Sequence, residues 1–235
     1  MADTSGRRTR AANIARLREA LQRSPVVASV VGAEPVPAFN AAASQVAIVA
    51  SVELKDLAGV VAELLDGGKF FFLNVDSCRG LAQDKGALEY LGALRVPGVV
   101  STRTSLVERA KALGQVTMQK VFVTDRSNLP RSLTSTAMSK PDLHELMPWP
   151  VLPRIDRAAR AELSPFIAAG FVQHTADVSL ALSLGARAAA TSDRALWDAP
   201  PAELRAAAAR AAQAAHHREQ GLTGTPDHRS DKGHR

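Results

Sequence analysis

Residues 165–197 read PFIAAGFVQHTADVSLALSLGARAAATSDRALW, and this stretch decides the fold. Its pattern predicts, in order, a strand at 166–169, a turn at Gly170, a helix opened by Thr175 or Asp177, a strand at 186–190, and a further helix after Thr191-Ser192-Asp193. The apolar runs are short and continuous, as expected of parallel strands that are covered on both faces. Together these elements form one βαβα unit.

The same alternation of apolar runs and helical patterns continues upstream. Further strands are predicted at 26–30, 46–50, 70–75, 99–101, 116–123 and 143–147, and further helices at 53–65, 80–94, 105–113, 125–138 and 155–163. Eight strands alternating with helices indicate an α/β fold, a single (β/α)8 TIM-type barrel over residues 24–200, rather than an open doubly wound sheet. The unit after the first strand lacks a predicted helix, because residues 32–38 contain two prolines and read as a loop.

The two ends of the chain differ from the barrel in composition. Residues 1–23 form a basic arm, in which 1–12 are expected to be flexible and 13–22 to be a helix that can lie across the bottom of the barrel. Residues 201–235 comprise an alanine-rich helix at 202–217 and a tail expected to be disordered from Gly221 onward.

Charge is also concentrated at the ends. The net charge is +6, yet residues 24–201 carry equal numbers of acidic and basic side chains, while residues 1–23 hold six arginines against two acids. The barrel is therefore neutral, and the high isoelectric point results from the basic residues at the two ends of the chain.

The overall composition is that of an ordinary globular protein, with 46% hydrophobic and 22% charged residues. The single cysteine, Cys78, excludes an internal disulfide and a cysteine-cluster metal site, and is expected to be a buried structural residue. No apolar run approaches the roughly 18 residues of a membrane span. We therefore expect a cytoplasmic protein without membrane association, metal or cofactor.

In a TIM barrel the functional side chains lie at the carboxyl ends of the strands. The candidates at those positions are Asp76, Ser101, Thr102, Gln119, Lys120, Glu145, Gly170, Thr191 and Ser192. Lys120 lies on an apolar strand and is costly to bury alone, so it should meet Glu145, an anionic ligand, or both. Asp76 and Glu145 could accept hydrogen bonds from a polyol, or could form structural ion pairs.

The turns after the last two strands are candidates for a phosphate cup. In many TIM barrels, backbone N–H groups and the start of a short helix bind phosphate there. Gly170 allows the backbone to approach an anion, and Thr191 or Ser192 could supply a hydroxyl group or a helix cap. The alternative is that Gly170 only ends a strand and Ser192 only caps a helix.

Four segments resemble the glycerol-3-phosphate-responsive antiterminators of bacterial glycerol operons. They are FFFLNVDSCRGLAQDKGALEYL at 70–91, STRTSLVERAKALGQVTMQKVFVTDR at 101–126, LHELMPWPVLPRI at 143–155, and the stretch from Phe166 to Trp197. The resemblance runs from about Ser24 to Trp197. It implies that glycerol 3-phosphate is the effector and that leader mRNA of a glycerol operon is the partner.

The chain differs from the family pattern at two positions, and the resemblance also suggests candidate RNA contacts. Ala169 precedes Gly170 where the family commonly has a double glycine, and Lys120 follows a glutamine where arginine is expected. Binding of RNA phosphates is expected from the arginines of the N-terminal segment, together with basic positions around the barrel. These arginines are Arg7, Arg8, Arg10, Arg16, Arg18 and Arg23.

Two other functions stay open from the sequence. The chain could be an enzyme acting on a small phosphorylated polyol or sugar, with Lys120 as base or nucleophile and Asp76 or Glu145 as acid. It could also be a metabolite sensor that acts without RNA. We expect no catalytic residues in the antiterminator reading, and a homodimer is left open.

Overall fold

The computed structural model describes residues 2–222, and side chains within residues 8–217. Eight parallel strands pair in chain order and close into a barrel, because the first strand also pairs with the last. The strands are β1 (Val26–Val31), β2 (Val46–Ala50), β3 (Phe70–Asn74), β4 (Gly98–Ser101), β5 (Val116–Phe122), β6 (Leu143–Met147), β7 (Phe166–Ala169) and β8 (Ala189–Thr191). The predicted TIM-type barrel is confirmed.

The helices alternate with these strands. They are α1 (Ala2–Arg23), α2 (Val36–Ala41), α3 (Leu54–Asp66), α4 (Lys85–Ala93), α5 (Thr104–Ala112), α6 (Leu129–Ser139), α7 (Arg157–Glu162), α8 (Thr175–Ser183) and α9 (Pro201–Leu222), with 3₁₀ helices at Trp149–Arg154 and Arg194–Asp198. Helix α2 occupies part of the segment expected to be a loop, because proline is well suited to the first turn of a helix. Helix α4 begins later than predicted because Asp84 caps it, accepting a hydrogen bond from Ala87 N at 2.9 Å.

Alternate residues of the strands enter two separate cores. Val27, Ile48, Phe72, Met118 and Ile167 are among the side chains that fill the barrel interior. The residues between them on each strand pack outward against the helices. This division places the interior positions nearest the carboxyl ends around the mouth of the barrel.

Helix α1 lies against the amino end of the barrel, where Leu17 and Leu21 join the interior core. It begins at Ala2, so residues 2–12, expected to be flexible, are helical. Arg10 explains part of this order: its Nη2 lies 2.5 Å from Asp142 Oδ1, and its Nε donates to Gln115 O at 3.3 Å. The helix is thereby attached to the barrel by both charge and apolar contact.

Helix α9 packs along α8 and buries Leu204 and Ala208. The predicted tail from Gly221 onward lies outside the described residues except for its first two positions, which end α9. Among the helices that the structure describes, none is both long and apolar enough to cross a membrane.

Candidate functional site

A cavity of about 300 Å³ opens at the carboxyl ends of the strands. Five of the predicted ligand residues line it, namely Lys120, Glu145, Gly170, Thr191 and Ser192. Sequence reasoning missed Ser29, Asn74, Met147, Phe171 and Gln173, which also line it. The period-two alternation of the strands could have identified Ser29, Asn74 and Met147, because each lies on the interior-facing side of its strand.

Lys120 and Glu145 form the charged pair of the cavity. They are Cα partners in the register of β5 and β6, and Lys120 Nζ lies 3.4 Å from Glu145 Oε2. The Lys120 side chain retains 14% exposure, whereas that of Glu145 retains 4%. The ammonium group therefore faces the cavity from above a buried carboxyl group.

Burial dominates the chemistry of Glu145. It raises the pKa of this carboxyl group, and the opposing effect of the Lys120 charge is smaller. Glu145 Oε2 also lacks a hydrogen-bond partner within the described residues. Because buried polar atoms are normally satisfied, this oxygen is suited to a hydrogen bond with a hydroxyl group of a ligand.

The turn after β7, formed by Gly170 and Phe171, lines the cavity. Gly170 has φ 76° and Phe171 has φ 62°, so both lie in the left-handed region. For a residue other than glycine this conformation costs about 1–2 kcal/mol. Trp149 holds the turn, since its backbone N donates to Gly170 O at 3.3 Å and its Nε1 donates to Phe171 O at 3.1 Å.

We call the backbone N–H groups of Gly170, Phe171 and Ser192 the anion cup. All three residues line the cavity, and their N–H groups have no hydrogen-bond partner in the part of the chain that the structure describes. Unpaired N–H groups beside an ammonium group favour an anion. The hydroxyl group of Ser192, which is exposed, is similarly available.

The starts of the two neighbouring helices are already occupied by carboxylates. Asp177 Oδ2 accepts hydrogen bonds from the N–H groups of Gln173 and His174, each at 2.9 Å. Asp193 Oδ1 accepts one from Ala195 N at 3.0 Å. The helix starts therefore attract an anion less than the sequence suggests. The attraction for an anion comes instead from Lys120 and the anion cup.

Thr191 organises the turn after β8. Its Oγ1 donates to Val172 O at 2.7 Å and accepts from Asp193 N at 3.0 Å. Its carbonyl oxygen accepts from the indole nitrogen of Trp197 at 2.9 Å. With its hydroxyl group engaged in both directions, Thr191 joins the turns after β7 and β8 and so shapes the cavity wall.

Asp76, Ser101 and Thr102 form a hydrogen-bonded cluster outside the residues that line the cavity. Asp76 Oδ1 accepts from Ser101 Oγ at 2.6 Å, and Oδ2 accepts from Thr102 N at 2.6 Å and from Thr102 Oγ1 at 2.8 Å. Both carboxylate oxygens are thus engaged with the turn after β4. Asp76 therefore forms hydrogen bonds within the mouth and not the structural ion pair that was the alternative to ligand contact.

Gln119 points away from the cavity, because it is the neighbour of the inward-facing Lys120 on the same strand. Its Nε2 donates to Ser135 Oγ at 3.1 Å, and its Oε1 accepts a hydrogen bond from Ser139 Oγ on α6. As a candidate for direct ligand contact it is therefore corrected: Gln119 positions α6 against β5.

The remaining reactive side chains are structural. Cys78 is buried, as predicted, and burial raises the pKa of its thiol to about 11. A thiol with such a pKa stays protonated at neutral pH. Among the described residues, no group of three histidine, cysteine or acidic side chains is arranged to hold a metal ion.

The candidate RNA-binding arginines lie on α1, at the opposite end of the barrel from the cavity. Arg10 is paired with Asp142, and Arg23 is paired with Glu19. Arg16 donates to Asn13 Oδ1 at 3.3 Å and to Gly68 O at 3.5 Å. Arg8 and Arg18 are exposed, and the side chain of Arg7 lies outside the described residues.

Fold and cavity together define a (β/α)8 barrel with a lysine paired to a buried glutamate and a glycine-containing turn at its mouth. The model of the family "Glycerol-3-phosphate responsive antiterminator" matches residues 26–197. The chain belongs to this family.

Individual proteins are similar to this chain over most of their length. The glycerol uptake operon antiterminator regulatory protein from Listeria monocytogenes superposes with a TM-score of 0.70 at 22% identity, covering 74% of this chain and 95% of that protein. A glycerol uptake operon antiterminator-related protein from Thermotoga maritima gives 0.65 at 21% identity, with 74% and 98% covered. The uncharacterized protein YgcP of Escherichia coli is 23% identical over 178 residues, which are 75% of this chain and 93% of that protein.

Proposed function

We propose that this protein is a glycerol-3-phosphate-responsive transcription antiterminator that binds the leader mRNA of a glycerol-catabolic operon. The observation that carries the proposal is the position of Lys120, which lines the same cavity as the residues of the anion cup in a chain that belongs to this family. Glycerol 3-phosphate acts as the effector, and no cofactor is required.

The cavity has two chemically different parts that match the two ends of this effector. The dianionic phosphate accepts hydrogen bonds from Lys120 Nζ, the anion cup and the Ser192 hydroxyl group. The hydroxyl groups of the glycerol part reach Glu145, whose Oε2 has an ion-pair partner in Lys120 but no hydrogen-bond partner among the described residues, and the buried Asn74. A polyol phosphate therefore satisfies polar atoms that a simple phosphate ion would leave unpaired.

The two departures from the family pattern, Lys120 and Ala169, change the affinity for glycerol 3-phosphate more than the class of ligand that is bound. Lys120 supplies a point charge instead of the two parallel hydrogen bonds of an arginine, which reduces geometric selectivity but keeps the attraction to phosphate. Ala169 lies in β7 with its side chain in the barrel interior, so it leaves the left-handed turn at Gly170 intact.

Calorimetric titration with glycerol 3-phosphate tests the effector. Glycerol and inorganic phosphate serve as comparison ligands, and Ser192→Ala is compared with Ser183→Ala, a variant on α8 away from the cavity. We expect selective binding of glycerol 3-phosphate that is weakened only in the Ser192→Ala variant. Equal affinity for inorganic phosphate, or no binding, would contradict the assignment of the effector.

The RNA function is tested separately. A labelled transcript of the untranslated leader upstream of the glycerol genes is titrated with protein in the presence and absence of glycerol 3-phosphate. We expect the effector to tighten RNA binding, because an effector must change the affinity for the partner. Turnover of a phosphorylated polyol that depends on Lys120 would instead identify an enzyme.

A further inference from the structure

Two phenylalanines are exposed at the mouth of the barrel. Phe171 is 73% exposed at the cavity edge, and Phe122 is 48% exposed at the end of β5, two residues beyond Lys120 on the same side of the strand. Phe171 is also held in the left-handed region, with φ 62°. An aromatic side chain that is both exposed and conformationally strained is typical of a binding surface.

Arginines accompany these aromatic rings. Arg103 follows β4, Arg126 follows β5, Arg131 lies in the first turn of α6, and Arg154 ends the 3₁₀ helix after β6. All four are exposed, and none has a carboxylate partner within residues 8–217. Because β4, β5, β6 and β7 are consecutive strands of the barrel, these groups occupy one continuous sector of the mouth.

The acids of the same sector are turned toward the backbone. Asp125 accepts from the N–H groups of Ser127 and Asn128 at 2.7 and 2.9 Å. Asp156 accepts from Ala159 N at 2.8 Å, and Asp177 closes the turn before α8. These carboxylates keep their negative charge but accept hydrogen bonds from N–H groups of their own turns, and none of them forms an ion pair with the four arginines among the described side chains.

The opposite half of the mouth has its charges paired. Arg194 forms an ion pair with Glu34, while Lys55 and Arg79 both lie 3.1 Å from Glu53. On helix α1, the other candidate surface, Arg10 and Arg23 are paired, and Arg8 and Arg18 are exposed without an exposed aromatic ring beside them among the described side chains. The sector from β4 to β7 is therefore the described surface that combines unpaired arginines with exposed aromatic rings.

We infer that single-stranded RNA binds across this sector, with bases stacked on Phe122 and Phe171 and phosphates held by Arg103, Arg126, Arg131 and Arg154. We call these six residues the RNA rim. Single-stranded RNA is the partner that this chemistry fits, since stacking platforms next to a cationic track are how proteins bind it. The inference rests on the proposed function and places its RNA contact at the effector end of the barrel, not on α1.

The RNA rim also supplies a physical link between effector and RNA. Phe171 follows Gly170, and both contribute N–H groups to the anion cup. A phosphate bound there fixes the turn that carries the Phe171 ring. Effector binding thus orders part of the RNA surface, so that less ordering remains when RNA binds.

Fluorescence anisotropy with a labelled single-stranded leader transcript tests the RNA rim in the full chain. The variants are Phe122→Ala and Phe171→Ala, with Phe171→Trp as the conservative rescue, and Arg126→Ala for the phosphate contacts. The matched controls are Arg16→Ala and Arg18→Ala on α1. We expect each alanine substitution of phenylalanine to weaken binding roughly tenfold, and the tryptophan variant to bind like the wild type.

Salt dependence separates the two kinds of contact. Arg126→Ala should reduce the slope of log affinity against log salt by about 0.7, whereas Phe122→Ala should leave that slope unchanged. Calorimetry with glycerol 3-phosphate on Phe122→Ala and Arg126→Ala should give wild-type affinity, which shows that the fold and cavity are intact.

The possible failures are distinguishable. Loss of RNA binding in the α1 variants with full binding by the rim variants would overturn the RNA rim and leave the proposed antiterminator function standing. No RNA binding by the wild type, with or without glycerol 3-phosphate, would overturn both.

Discussion

Lys120 Nζ lies 3.4 Å from Glu145 Oε2, on directly paired positions of two neighbouring strands. The pair explains how a lysine can stand in the interior of a barrel: the carboxyl group below it offsets part of the cost of burial. It also orients the ammonium group toward the cavity mouth. The same contact is therefore both structural and part of the candidate ligand site.

Replacement of Lys120 tests this double role. Lys120→Met should weaken glycerol 3-phosphate binding about tenfold or more, because a charge-assisted hydrogen bond contributes about 1.5–3 kcal/mol. Lys120→Arg should retain binding. Calorimetry measures both, and Lys85→Met, which removes a surface partner of Glu89, is the matched control. Unchanged affinity in Lys120→Met would exclude Lys120 from the phosphate site.

Gly170 is expected to require glycine. An alanine at this position would have to adopt the left-handed backbone conformation, with φ 76°. Its Cβ would also lie 3.2 Å from Met147 Cε. Gly170→Ala should lower the free energy of unfolding by about 1–2 kcal/mol. Gly92→Ala is the control, since its Cβ meets nothing within 4 Å in α4, and should raise stability by up to about 1 kcal/mol. Urea denaturation compares the two, and equal stabilities would refute the strain argument.

Asp76 is expected to stabilise the mouth without contacting the ligand. Asp76→Ala leaves the buried hydroxyl group of Ser101 without its acceptor, so unfolding should require about 1–3 kcal/mol less. Asp66→Ala, at the exposed end of α3, should change stability little. Denaturation gives the stabilities and calorimetry gives the affinity for glycerol 3-phosphate. A larger loss of affinity than in Lys120→Met would restore Asp76 as a ligand contact.

His144 should make stability depend on pH. Burial lowers the pKa of this imidazole, its Nδ1 lies 3.3 Å from Pro165 O, and its Nε2 has no partner among the described residues. The unfolded state binds a proton near pH 6.5, where the folded state does not, so acidification below about pH 6.5 favours unfolding. His144→Phe should show a shallower fall in unfolding free energy between neutral pH and pH 5. Parallel curves for the two proteins would show that His144 does not titrate on unfolding.

Some site residues could be predicted because strand ends are visible in the sequence. The apolar runs before Lys120, Glu145 and Gly170 located these residues at the carboxyl end of the barrel, and all three line the cavity. Gln119 was included although it adjoins Lys120, and two consecutive strand residues cannot face the same side. Alternation therefore assigns Asn74, and not Gln119, to the barrel interior.

Other features have no local signature. The carboxylate of Asp76 contacts Ser101 and Thr102 only because β3 and β4 are neighbours, and the separation of 25 residues between Asp76 and Ser101 hides this contact from a linear pattern. Arg10 and Asp142 form an ion pair although they are 132 residues apart in the chain. Phe122 and Phe171 are exposed, whereas most phenylalanine side chains are buried. The composition therefore does not reveal that these two rings are available for stacking.

The sequence by itself determined the closed barrel, because short apolar strands alternating with helices can bury both faces of a parallel sheet in few other ways. It also determined the end of the barrel that carries the site. Only the tertiary structure decided which polar residues face the cavity and which satisfy one another, because hydrogen bonding and burial depend on neighbours that are distant in the chain. For the same reason, only the tertiary structure distinguished arginines that are already paired from those left free at the mouth.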